Sequence, residues 1–206
     1  MTDLFSRLQR IFDDGHGDIG QPRVASPDLL TDARFASGTP QPAAVLIAVT
    51  NRPQPGVILT RRPKDMRDHP GQVAFPGGKI DTGEDAVTAA LREAREELAM
   101  ETHHVDIIGA TDRYVTGTGF EITPVLGVVP PDLPLVPNPG EVESWFEVPL
   151  ALLLDEQNYE RRETFWRGAN RQYFELHYDS YRIWGVTAAI IINLTRRMRL
   201  TELIDG

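Results

Sequence analysis

The 206-residue chain carries 21 basic and 30 acidic side chains, a formal net charge of −9, 41% hydrophobic residues and no cysteine. This composition supports one sizeable core and excludes disulfides, thiolate metal sites and a cysteine nucleophile. The acidity argues against a broad nucleic-acid footprint. No apolar run approaches the ~20 residues of a membrane span, and the opening residues lack the apolar centre of a signal peptide, so a reducing cytoplasm is the expected compartment.

Leu4, Phe5, Leu8, Ile11 and Phe12 recur at helical spacing. They predict a short amphipathic helix over residues 3–13, packed on its own domain or on a second copy, so monomer and homodimer are both open. Acidic Asp3, Asp13 and Asp14 flank it and argue against membrane-surface binding. Residues 14–42 are rich in Gly, Pro, Ser and Asp and read as a loop or linker. Residues 1–42 are therefore expected to be an extension, and residues 43–206 the main domain.

Residues 43–50 (AAVLIAVT) and 57–61 are short apolar runs separated by NRPQPG, the pattern of a hairpin. A third short strand is expected at 73–75. Asp85 is placed to cap a helix over residues 86–98, with Ala86, Ala90, Leu91 and Ala94 as its buried stripe. Further strands are expected at 105–109 and 122–129. Between them RYVTGTGF, with Gly117 and Gly119, reads as a flexible connection beside a substrate path.

Pro130, Pro131, Pro134, Pro137 and Pro139 make residues 130–144 an irregular loop. A short helix at 150–154 follows, then a hairpin of 164–167 and 172–178 around Gly168-Ala169-Asn170. A final helix at 186–198 carries Ile190, Ile191 and Leu194 in its core. Strands interleaved with a few helices indicate an α/β or α+β sandwich.

Residues 78–100, GKIDTGEDAVTAALREAREELAM, concentrate the chemistry. Glu93, Glu96 and Glu97 follow Arg92 at i, i+3 and i+4, a spacing that gathers side chains on one helix face. Like charges so close destabilise an isolated helix, so a counter-charge is expected. A hard divalent cation fits, because Mg²⁺ takes oxygen ligands from carboxylates and substrate phosphates. A solvated acidic face is the alternative for any such run.

From Gly78 the chain runs five residues to Glu84 and seven more to Arg92-Glu93-Ala94-Arg95-Glu96-Glu97-Leu98-Ala99-Met100. This resembles the Nudix box, G-x5-E-x7-R-E-U-x-E-E-x-G-U with U apolar, at every position but one. Ala99 stands where the box has a glycine that usually closes the helix in a left-handed turn, which alanine adopts at some cost. Residues 58–78, ILTRRPKDMRDHPGQVAFPGG, hold Thr60, Arg62, Arg67, Gly71, Phe75, Pro76, Gly77 and Gly78 in a fixed register. That register is similar to the signature of the coenzyme A pyrophosphatase branch, L-L-T-x-R-S-x3-R-x3-G-x3-F-P-G-G, with Ile58 and Pro63 as departures. A weaker framework likeness continues through residues 120–125, 146–150 and 183–188.

The resemblance implies a Nudix α/β/α sandwich with a mixed β-sheet. It also implies a Mg²⁺- or Mn²⁺-dependent enzyme that splits coenzyme A or its thioesters into 3′,5′-ADP and a 4′-phosphopantetheine product. A Nudix diphosphatase acting on ADP-ribose, NADH or a nucleoside triphosphate is the alternative enzyme. A nucleotide-binding module that has lost catalysis is the alternative from another class.

Hydrolysis of a diphosphate needs a positioned water, neutralised phosphates and a stabilised leaving oxygen, which metal ions bridged by carboxylates provide together. Glu93 and Glu97 are the expected principal metal ligands, with Glu96 as a third carboxylate. The resemblance also allows Glu93 as the catalytic base, and the two roles stay open. Arg92 is expected to orient the cluster through charged hydrogen bonds, and the Gly77 carbonyl to serve as a further ligand, since glycine lets main chain approach an ion.

Glu84 reads as structural, bonding to the loop or to Arg92. Glu121, Glu141 and Glu143 are candidates for a distal base or ligand. Arg61, Arg62 and Arg67 offer guanidinium groups to substrate phosphate, with His69 among them as a structural hydrogen-bonder. The expected partner is a small nucleotide diphosphate, with neither nucleic acid nor membrane.

Overall fold

The computed structural model describes residues 4–17, 38–66, 69–166 and 168–198. Strand β1 (Gln41–Thr50) is the axis of the fold. It pairs in parallel along its whole length with β7 (Phe120–Val129), from Gln41 opposite Phe120 to Thr50 opposite Val129. Its other edge is divided. Ala43, Ala44 and Val45 pair antiparallel with β4 (Gly77–Lys79), while Val49 pairs with Val57 of β2 (Gly56–Arg61).

Strand β2 also carries β3 (Val73–Ala74) and β8 (Ser144–Pro149), and β7 carries β5 (Asp106–Ala110) and β6 (Tyr114–Val115). One parallel pairing among antiparallel ones makes this eight-stranded sheet mixed, as expected.

Alternation along β1 builds two cores, because successive strand residues face opposite sides of the sheet. Ala44, Leu46 and Ala48 pack with Ala89, Ala90, Ala94 and Leu98 of α2 (Ala86–Leu98). Ile47 and Val49 face the other way, into a cluster with α1 (Leu4–His16), α3 (Leu150–Leu154) and α4 (Val186–Met198). The result is an α/β sandwich with helices on both faces of the sheet. Ala86 and Leu91 are only half-buried, so the stripe of α2 is turned from the expected one. Its small alanines at 89, 90 and 94 sit against the sheet, and Glu97 falls in line with them.

Helix α1 packs on its own domain, with Leu8 and Phe12 in the core beside α4 and β5. A Cβ on Gly109 would lie 2.7 Å from the Phe12 ring, so that glycine makes room for the helix. The helix outruns its expected end, and His16 stacks on Phe12 at 3.9 Å and bonds Thr111 Oγ1 at 2.9 Å. Residues 18–37 of the expected linker lie outside the described residues.

A second sheet has the order β11-β10-β9, built from β9 (Glu160–Trp166), β10 (Ala169–Tyr178) and β11 (Tyr181–Trp184). The expected hairpin is thus longer than its apolar pattern suggested. Strands β4, β6, β8 and β11 were not expected. Two- to four-residue strands show no readable period, and most residues of β8 are half-buried rather than alternating. No helix among the described residues is long and apolar enough to cross a membrane.

Candidate active site

Asp85 starts α2 by accepting the Thr88 N–H at 2.8 Å, a bond that also holds its carboxyl below the ordinary range. Two turns on, Glu93 and Glu97 project from the sheet-facing side. Together with Glu141 they each offer a carboxylate oxygen within 4.8 Å of the others. Glu97 is 4% exposed, and its Oε2 has no hydrogen-bond partner among the described residues. Burial first, then repulsion by Glu93 and Glu141, pushes its carboxyl up to about 8. Burial likewise raises Glu93.

Glu96 is not brought into this trio. It lies about 100° round the helix from Glu97, its side chain is 53% exposed, and it bonds Arg92 at 3.1 Å. Glu141 supplies the third carboxylate in its place.

Arg92 ties the box together. Its Nε and Nη2 grip the two oxygens of Glu84 at 2.8 and 3.1 Å, and Nη2 also donates to the Lys79 carbonyl at 2.9 Å. Its Nη1 donates to Glu93 at 2.8 Å. These bonds, that to Glu84 foremost, raise the guanidinium pKa further. Glu84 also accepts the Asp81 N–H at 3.0 Å, which fastens the turn to the helix. A Cβ on Gly78 would lie 2.5 to 2.7 Å from the Glu93 carboxylate, so only glycine lets β4 run this close. Gly77 reaches Glu97 through a backbone hydrogen bond that opposes the upward shift.

The proline-rich loop forms the other wall. Val136 N–H bonds Leu98 O at 2.9 Å and Asn138 N–H bonds Glu97 O at 2.8 Å, satisfying carbonyls that a helix end leaves without partners. Ala99 keeps the left-handed turn, with φ 54° and ψ 29°, and its N–H returns to Arg95 O at 2.9 Å. Asn138 then accepts the Glu141 N–H at 3.0 Å, which sets Glu141 over the helix. The other two distal candidates are engaged elsewhere: Glu121 pairs with Arg113 at 2.7 Å and Glu143 with Arg61 at 3.0 Å. Sequence reasoning left all three open because this choice depends on the loop's docking.

Arg62 lies close enough to Glu97 to favour its charged form. The Nε atoms of Arg61 and Arg62 are buried without a hydrogen-bond partner among the described residues. His69 is exposed, with φ 54°, and Arg67 lies outside the described residues. Three carboxylates with one unpartnered buried oxygen form the hard oxygen donor set that a divalent cation takes. The arginines beside them suit phosphate.

A sequence profile of the NUDIX domain matches residues 39–168. The chain is 45% identical over 153 residues to the uncharacterized Nudix hydrolase NudL of Escherichia coli, covering 74% of this chain and 80% of that protein. It is 43% identical over 160 residues to NudL of Shigella flexneri, covering 77% and 83%. Among solved structures, the Nudix hydrolase RenU of M. smegmatis superposes with a TM-score of 0.54 over 82% of this chain and 88% of that one, at 20% identity, a likeness of fold alone. The profile match runs from β1 through β9 and takes in α2 and all three clustered carboxylates; the chain belongs to the Nudix family.

Proposed function

We propose that this Nudix hydrolase cleaves the diphosphate linkage of coenzyme A or its thioesters, with Mg²⁺ or Mn²⁺, releasing 3′,5′-ADP and a 4′-phosphopantetheine product. The carboxylate cluster of Glu93, Glu97 and Glu141 carries this assignment. Three carboxyl groups held together, one of them buried, resist ionising together without a cation. Oxygen donors with no cysteine or histidine among them favour Mg²⁺ or Mn²⁺ over Zn²⁺. A divalent ion held by these residues, with the Gly77 carbonyl as a further ligand, supplies charge neutralisation at the diphosphate and a more acidic bound water.

The protein's own groups position and stabilise. Arg92 fixes Glu93 from the side, so that carboxylate needs no reorganisation as charge develops on phosphorus. Arg62, beside Glu97, meets the diphosphate oxygens as the attacked phosphorus gains oxygen and the other phosphate leaves. Glu141 sits on the loop wall as the candidate to take the proton of the attacking water, with Glu93 as the alternative. The likeness of the 58–78 register to the coenzyme A signature supports coenzyme A over other diphosphates, and that register runs from β2 to β4 beside the cluster.

A panel of coenzyme A, an acyl-coenzyme A, ADP-ribose and NADH, assayed with Mg²⁺ and with Mn²⁺, tests the assignment. Release of 3′,5′-ADP, lost in excess chelator, is the expected result. Full turnover in chelator removes the metal from the mechanism, and preferred cleavage of ADP-ribose or NADH replaces the substrate.

A further inference from the structure

Arg61 also lines a cavity of about 430 Å³ bounded by the segment after β2, by β3 and by β11. Its charged lining side chains are Arg61, Lys64 and Arg182, with His69 beside them, and none is a carboxylate. Arg61 pairs with Glu143 at 3.0 Å and Arg182 with Glu175, but both carboxylates lie outside the lining, so in a chain of net charge −9 the cavity wall itself presents cations and suits an anion.

The cations are held in place before any ligand arrives. Arg61 lies 5.5 Å from the Tyr181 ring centroid, and that ring is backed by Phe146, stacked at 3.5 Å. Arg182 lies 4.5 Å from the Trp184 centroid. Its Nε donates to Glu175 at 2.8 Å, Nη2 donates to the same carboxylate, and Nη2 also meets the Tyr173 hydroxyl at 3.1 Å. Glu175 is 4% exposed and also pairs with Arg162 at 3.0 Å, so Arg182, itself partly exposed, is anchored on a buried carboxylate.

Each guanidinium is a planar fork of five N–H donors, so pairing with one carboxylate leaves donors for a ligand. Arg61 and Arg62 are consecutive, and neighbours on extended chain project to opposite sides. One substrate can therefore meet Arg62 with its diphosphate and Arg61 with a second anionic group.

We infer that this cavity reads a phosphate monoester remote from the scissile linkage, with Arg182 and Lys64 as specificity residues opposite Arg61. Given the coenzyme A reading, on which the identity of this group rests, it is the 3′-phosphate of the nucleotide half. Bidentate guanidinium contacts suit such a dianion.

Calorimetric titration of the metal-free protein with 3′,5′-ADP and with 5′-AMP isolates that phosphate from catalysis. The wild type should bind 3′,5′-ADP about tenfold or more tightly, the scale of one hydrogen bond to a charged group. Lys64→Ala, on exposed chain, and Arg182→Ala should each bring the two affinities together. Arg182→Lys keeps a cation beside Glu175 and should recover part of the difference, which separates phosphate reading from a folding defect. An undiminished ratio in both alanine variants, or no preference in the wild type, overturns the cavity's role even if coenzyme A is cleaved. A wild type that cleaves ADP-ribose and not coenzyme A overturns the substrate reading, while the same titration still decides whether the cavity holds a 3′-phosphate.

Discussion

Asn138 donates its backbone N–H to the carbonyl of Glu97 at 2.8 Å, so one residue of the helix both contributes a carboxylate and seats the loop that brings another. Because Glu141 reaches the cluster by that docking, Glu141→Gln should lower kcat/KM ~10²-fold, the order of one strong electrostatic contribution. Glu121→Gln, whose carboxylate pairs with Arg113, should stay near the parent rate. Steady-state rates at saturating Mg²⁺ check this, and the reverse ranking would assign the distal role to Glu121.

Glu97 makes the metal-free fold sensitive to pH. Its carboxyl is pushed up to about 8, against 4.5 ordinarily. The folded state keeps a proton that the unfolded chain has released, so this group's contribution to stability falls as pH rises from 4.5 to about 8. Urea midpoints in chelator should therefore favour the acidic end of that window. Glu97→Gln should remove the slope and raise stability at the alkaline end by ~1–3 kcal/mol, while turnover falls ~10²-fold. A variant with the parent's pH slope would locate the titration elsewhere.

Arg92→Lys keeps the charge but loses the fork that spans Glu84, Glu93 and Glu96. An ammonium cannot hold Glu84 through two parallel bonds and still reach Glu93. Stability should drop by roughly 1–2 kcal/mol and kcat by about tenfold, since Glu93 loses its lateral support. Denaturant titration and rates together check it; unchanged kcat would make Arg92 a structural residue only.

Ala99 holds a left-handed conformation that costs an L-residue roughly 1 kcal/mol. Ala99→Gly should raise the unfolding free energy, read by denaturant titration, by about 0.5 kcal/mol or more, the relief exceeding glycine's extra unfolded-state freedom. Since Ala99 offers no side-chain ligand, kcat should not change. A loss of stability would mean that the methyl group packs better than the turn strains.

The pairing of Glu93 with Glu97 on one side of α2 was legible because helical spacing converts sequence directly into a face. Spacing did not reveal how the helix is rolled on the sheet, and that roll buries Glu97 and leaves Glu96 at the solvent side. The left-handed turn at residue 99 was left open by the alanine at the box's glycine position, and the structure shows that the alanine adopts it. Glu141 could not be singled out, because backbone bonds from Val136 and Asn138 choose it and any residue can make them. Arg182 and Trp184 reach the basic cavity through the pairing of β11 with β10, which leaves no mark in so short a strand.

Strand β4 is fastened to β1 by its antiparallel ladder, reinforced by Leu46 N–H to Pro76 O at 2.8 Å. The opposite wall is an irregular segment held at its two ends, by Val136 and Asn138 N–H to the end of α2 and by Glu143 N–H to Arg61 O at 2.8 Å, with the exposed tip at Pro139 and Gly140 between them. Local opening follows such differences, so the amide protons of Gly77 and Gly78 should exchange more slowly than that of Gly140 at the exposed loop tip, which hydrogen-exchange rates check. Opening at this cleft is therefore expected to start at the loop tip beside Glu141, with Gly77, Gly78 and Glu93 keeping their register.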